Sequence, residues 1–191
     1  MSVAYPSKLM LFGEYAVIAG GEGLAIPYPE FSATWIINIE SPSAFKSHLI
    51  LFLNWLKENH FEDKLNLTAF ETDLAQGLDI QSNVPIGYGV GSSGVVVAAV
   101  FDKYHKQIPS DLNELKSVLA SMENYFHATS SGLDPLVCYL NKGVHIKNGA
   151  VHVVENRNIL KNTKLHLIDC GNARSTQQLV TVFKDKMLNV D

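Results

Sequence analysis

The sequence predicts an α+β fold, and three observations carry that expectation. Segments with strand alternation and segments with helical periodicity both recur along the 191 residues, without the regular strand–helix–strand rhythm of a parallel sheet. GVHIKNGAVHVVE, residues 143 to 155, sets two alternating runs around Asn148-Gly149, the strongest short hairpin signal in the chain. A glycine-rich loop, VPIGYGVGSSG from Val84, stands between a strand-like run and a helix.

Taken in order, KLMLF (Lys8 to Phe12) reads as a buried strand stopped by Gly13, and SATWIINIE from Ser32 as a second strand with one exposed face. A turn-rich connection is expected between them. From Lys46 to His60, Leu49, Ile50, Phe52, Leu53 and Leu56 share one helical stripe. Strand-like runs follow at Leu65–Glu71 and Leu78–Ser82, the second leading into the glycine loop and then a helix over Ser92–Tyr104. Pro109, Ser110 and Asp111 open another helix, with Asp111 and Glu114 at capping-box spacing, running to about Phe126. After HATSSGLDP and the hairpin, LHLID (165 to 169) reads as a strand and STQQLVTVFKDKML as a final helix.

Composition narrows the function. With 47% hydrophobic and 18% charged residues the chain can bury a core, and a formal charge of −4 without a basic stripe argues against nucleic acid as the main partner. No segment reaches the roughly 18 uninterrupted apolar residues of a membrane span, and the start lacks a secretory pattern, so a cytoplasmic protein is expected. Cys138 and Cys170 are not in C-x-x-C spacing and read as reduced, buried thiols. The seven histidines show no ligand spacing, and none is assigned a role.

The glycine loop carries the chemistry. Gly87, Gly89 and Gly91 alternate, and glycine lets backbone amides converge on an anion with no Cβ in the way. The loop runs into a helix N-terminus, whose dipole and free amides add to the attraction for phosphate. The same glycines also suit a tight turn before a buried helix. GVGSSG fits G-x-G-x-x-G, but the acid a dinucleotide fold needs about 20 residues on, Glu114, falls in a helix. No lysine follows Gly94, which excludes a Walker loop, and H-R-D and D-F-G are both missing. What remains distinctive is Ser92-Ser93, two hydroxyls suited to a phosphate oxygen or Mg²⁺.

Four stretches together resemble the GHMP kinases, and the mevalonate kinase branch among them. Pro85-Ile86-Gly87-Tyr88-Gly89-Val90-Gly91-Ser92-Ser93 is similar to the family's phosphate-binding motif, with Val90 in place of the usual Leu. KLMLFGEYAVIAGGEGLAIPYP (8 to 29) resembles its first motif, ENYFHATSSGLDPLV (123 to 137) the segment ending in S-G-x-D, and CGNARSTQQLV from Cys170 the T-G-x-x-R-S-T-x-x-L-V segment. The resemblance implies a GHMP kinase fold, with an N-terminal ribosomal protein S5 domain 2-like domain over residues 1–158 and the start of a ferredoxin-like C-terminal domain over 159–191. It implies transfer of the γ-phosphate of Mg-ATP to a hydroxyl of mevalonate or a similar small anionic alcohol. Phosphomevalonate or another small alcohol is the alternative acceptor, and a non-catalytic nucleotide-binding module the alternative function.

By the same resemblance, Asp134 is the catalytic base and Lys8 the lysine beside it; an ammonium there favours the ionised carboxylate. Pro85, Gly87, Gly89, Gly91, Ser92 and Ser93 would hold ATP, and Ser93 and Glu123 would hold Mg²⁺. Glu123 precedes Asp134 by eleven residues, the family's spacing. Glu14, Tyr15, Arg174 and Thr176 would line the substrate pocket, an arginine suiting a carboxylate. Read without the resemblance, Asp134 before Pro135 can cap a turn, and Arg174 can be a surface residue before a helix capped by Ser175 or Thr176. Ser7 and Ala128 stand where the family often has Gly. The family's third, G-x-G-G-G-type motif does not occur before Asp191. An incomplete second domain is therefore expected, with an apolar face around Leu179, Val180, Val182 and Phe183 that invites a partner, a second copy in a homodimer among the candidates.

Overall fold

The computed structural model describes residues 3–40, 43–127, 129–155, 164–169, 171 and 176–188. Its architecture is α+β, as expected, and the sheet among these residues is antiparallel throughout. The spine is β2 (Gly23–Ile37), which pairs along one edge with β1 (Ala4–Phe12). Its other edge is shared: β3 (Leu78–Ser82) takes residues 33–37 and β4 (Gly143–Lys147) takes residues 23–25. β5 (Ala150–Val154) folds back on β4 through the expected Asn148-Gly149 turn, where both residues have positive φ.

One long strand therefore replaces the turn-rich connection expected before Ser32. The strand contains Pro27 and Pro29, but the register shifts between Pro6 and Ser7, and a bulge tolerates residues that cannot donate to the ladder. At the shift the buried Ser7 hydroxyl donates to Tyr28 O at 3.0 Å.

α1 (Ala44–Glu58) buries Leu49, Phe52, Leu53 and Leu56 as its stripe requires, while Ile50 faces outward. Its start is fixed by the buried Asp79, which accepts from both the amide and the hydroxyl of Ser43 at 2.8 Å. The strand expected at Leu65–Glu71 is instead α2 (Leu67–Ala75): Asn66 caps it by accepting from Ala69 N, and Leu67, Phe70 and Leu74 share its inner face. Seven residues were too short a window for the 3.6-residue period to show.

α3 (Ser92–Tyr104) spans the expected residues and is buried on nearly every side, from Gly94 to Phe101. α4 (Leu112–Glu123) starts where predicted, with Asp111 accepting from Asn113 N and Glu114 N at 2.9 Å, but it stops at Glu123. α5 (Leu133–Leu140), unforeseen in the sequence, packs against α3. Residues 165–169, expected as a strand, are irregular and exposed, and the last described element is α6 (Thr176–Leu188).

The approach of α3 to α5 depends on Gly94. A Cβ there would sit 2.9 Å from Asp134 C and Pro135 N, inside van der Waals contact with backbone that cannot step aside. At an unconstrained helix position Gly→Ala gains up to about 1 kcal/mol. Here Gly94→Ala is expected to lose about 1–3 kcal/mol through overpacking. Urea unfolding reads the sign directly, and a stabilised variant would refute the packing argument.

Candidate active site

A cavity of about 820 Å³ opens where β1, the glycine loop, the end of α4 and the start of α5 meet. Lys8 reaches it from β1, and Gly87, Gly89, Gly91, Ser92 and Ser93 form one wall. Glu123, His127, Ser130, Ser131 and Asp134 form another. The three alternating glycines all have positive φ, between 74° and 82°, so the freedom inferred from the sequence is used.

At the floor, Lys8 Nζ lies 2.9 Å from Asp134 Oδ2, with the lysine side chain 4% exposed and the aspartate 31%. β1 carries the lysine inward, and α5 presents Asp134 in its first turn, where the helix dipole favours a carboxylate. Burial by itself would pull the Lys8 pKa down. Asp134, with Glu14 adding to it, outweighs burial, and the ammonium is held above its ordinary value. The glycine loop is fastened to the same lysine: Lys8 N donates to Val90 O at 3.1 Å, and a Cβ on Gly91 would come within 2.8 Å of Lys8 Cγ.

A second acid stands nearby under different conditions. Glu123 is buried; Ser93 donates to its Oε1 at 2.8 Å and Ser130 donates to its Oε2. Ser130 is itself held by Gly132 N, 2.9 Å from its Oγ. Burial first, then the charge of Asp134, push the Glu123 pKa up to about 7, against the pull of the two serines and Lys8. On the other side of Ser93, His127 Nε2 lies 3.1 Å from the hydroxyl, and burial holds the imidazole below its usual value.

The structure thus brings Lys8, Asp134, Ser92, Ser93, Glu123, Glu14 and the loop glycines to one cavity. Pro85 lies outside its wall, and Tyr15 stacks on Phe183, ring centroids 5.4 Å apart. The backbone of Thr176 opens α6, whose Val180 reaches the cavity; Arg174 and Cys170 lie outside the described residues. Cys138 is free and buried, its thiol pushed up by burial. Sequence reasoning missed His127 and Ser130. His127 follows Glu123 by four residues, a helical spacing that could have flagged it.

Among the described residues no group of three or more His, Cys, Asp or Glu side chains is placed to hold a metal. The Ser93 and Glu123 oxygens nonetheless suit a hard cation whose other ligands come from phosphate and water. Their 2.8 Å separation is close to the edge of an Mg²⁺ octahedron, about 2.9 Å for bonds of about 2.0–2.1 Å.

Glu123 gives the metal-free protein a pH signature. Its folded pKa lies above that of a free glutamate, so its contribution to stability is present below about 4.5 and is lost as pH rises to about 7. Over that window stability is expected to fall by about 1 kcal/mol per pH unit from this group, then level off. Glu123→Gln should flatten the slope in chelator-treated samples melted across pH 5 to 8. An unchanged slope would show that Glu123 is not the group responsible.

Residues 54–142 match the GHMP kinases N terminal domain. Over 168 residues the chain is 25% identical to the mevalonate kinase of Pyrococcus abyssi, a match covering 75% of this chain and 50% of that protein. It is 25% identical over 202 residues to the mevalonate kinase of Thermococcus sibiricus, covering 92% and 59%. Among solved structures, the mevalonate kinase of Methanococcus jannaschii shares the fold with a TM-score of 0.53 at 19% identity, over 100% of this chain and 73% of that one. The L. major mevalonate kinase, solved in complex with R-mevalonate, gives 0.58 at 18% identity, over 99% and 62%. The chain thus spans between half and three-fifths of these two curated relatives. The matched domain, the shared fold and the mevalonate kinase relatives point the same way: residues 54–142 carry the likeness to the GHMP kinases N terminal domain, and the chain around them is similar to mevalonate kinases.

Proposed function

We propose that the site transfers the γ-phosphoryl group of Mg-ATP to the hydroxyl of a small anionic alcohol, mevalonate first among them. The observation that carries this reading is the buried Lys8–Asp134 pair facing the same cavity as the glycine loop and the Ser93–Glu123 pair. Phosphoryl transfer needs a positioned hydroxyl, a place for its proton and neutralised phosphates. Asp134 accepts the hydroxyl proton as the oxygen attacks the γ-phosphorus, the bond to the β-phosphate oxygen breaks, and ADP leaves. Lys8 steadies negative charge on the attacking oxygen without leaving Asp134. The loop glycines and Ser92 cradle the phosphates from the N-terminal end of α3. Ser93 and Glu123 hold Mg²⁺, which when bound neutralises phosphate charge.

The mevalonate kinase relatives support the substrate, and the carboxylate of such an alcohol is assigned to Arg174, with Glu14, Tyr15 and Thr176 around it. The domain division follows the same reading: residues 1–158 form the nucleotide-binding domain and 159–191 begin the second.

Incubation of the chain with Mg-ATP and mevalonate, followed by ADP release, tests the proposal. Asp134→Ala is expected to lower turnover by at least about 10²-fold while leaving ATP binding largely in place. Surviving turnover would overturn the base assignment. Tight ATP binding without any ADP from folded wild-type protein would replace the enzyme with a nucleotide-binding module, and preference for phosphomevalonate would move the substrate.

A further inference from the structure

A serine has one hydroxyl proton and two lone pairs, and two neighbours compete for those of Ser93. Its Oγ donates to Glu123 Oε1 at 2.8 Å and lies 3.1 Å from His127 Nε2. With the single proton directed at Glu123, His127 can bond that oxygen only by donating from Nε2.

If Ser93 and Glu123 held a cation, this arrangement would be reversed. The Ser93 hydroxyl and the Glu123 carboxylate would both offer lone pairs to it, and the hydroxyl proton would have to leave the line between them. Rotation of the carboxylate to follow it is opposed by Ser130, which holds Oε2 and is itself anchored by Gly132 N. Among the described residues, the imidazole is the other group within hydrogen-bonding distance of the Ser93 hydroxyl. The chain carries it there by a turn directly after α4, in which His127 N donates to Glu123 O at 3.2 Å, so the backbones of the two residues are tied together.

We infer that His127 is a positioning residue for the cation: it accepts the Ser93 hydroxyl proton in a hydrogen bond when the metal binds and thereby aims the Ser93 lone pair at it. The step transfers no proton between heavy atoms of Ser93. It requires the neutral imidazole to exchange tautomer, from Nε2–H in the free protein to Nδ1–H in the loaded one. The inference rests on the Mg-ATP reading above.

Two measurements on the full chain at pH 8, above the ordinary histidine range, test it. In ¹⁵N-labelled protein the His127 Nε2 resonance is expected to change from the protonated to the unprotonated type when Mg-ATP is added. ATP affinity is then compared with Mg²⁺ and with EDTA. His127→Phe, which keeps a ring but no acceptor, should lose about tenfold in the Mg²⁺ arm, the scale of one hydrogen bond, and nothing in the EDTA arm. His127→Gln, whose amide oxygen can accept from the same place, should recover most of the loss. Nε2 remaining protonated in the loaded protein, or equal losses in both arms, would overturn the inference alone. A wild-type protein that binds ATP no better with Mg²⁺ than with EDTA would overturn the kinase reading and the inference with it.

Discussion

The ion pair between Lys8 and Asp134 is the constraint around which the molecule is arranged. Taking an ammonium out of water costs several kcal/mol even after relaxation, and the side chain of Lys8 is almost wholly out of water. That is tolerable only if a carboxylate is delivered to it in hydrogen-bonding geometry. Asp134 is delivered by α5, α5 is placed by backbone contact with α3 at Gly94, and α3 is launched by the glycine loop, which is tied back to Lys8 through Val90 O. The chain of dependence closes on itself. A lysine that would be expensive alone ties β1, the loop and two helices together.

The same arrangement sets apart two acids that the sequence presents as similar. Asp134 has a direct cationic partner; Glu123, deeper and close to the charge of Asp134, is bonded by hydroxyls. A carboxyl buried among neutral donors holds its proton to higher pH, and added positive charge relieves it. Paired acids with different environments are a common way for one site to divide roles. Under the proposed function, this division would assign proton acceptance to Asp134 and the demand for a cation to Glu123. Neither difference follows from residue type: Asp134 touches Lys8, whereas Glu123 is governed first by its burial and then by the charge of Asp134.

Much of the fold was legible because it is specified locally. The Asn148-Gly149 hairpin, the Asp111 cap and the apolar run of α3 are short-range signals, and the structure has all three. Where a segment is set by its tertiary setting, the reading failed: Leu65–Glu71 alternates like a strand, but Asn66 caps a helix over Leu67–Ala75, and Pro27 is tolerated in β2 beside a bulge. The site divides the same way. The eleven residues from Glu123 to Asp134 are visible in the sequence, whereas the contacts of His127 and Ser130 exist only because the chain folds back over the end of α4. The burial of Lys8 was equally hidden, because a lysine opening a strand is ordinarily solvated.

The glycine loop looks different once the lysine is in place. Read alone, alternating glycines make a phosphate cradle, and the positive φ at Gly87, Gly89 and Gly91 is what such a cradle needs. Gly91 has a second duty that no phosphate argument would supply. A side chain there would press on the stem of Lys8, and the ammonium would be driven off Asp134. The residue that opens the helix toward a phosphate is therefore the one that leaves room for the lysine. Under the proposed function, phosphate binding and base positioning would be coupled through one missing Cβ, and a change at Gly91 made for one would disturb the other.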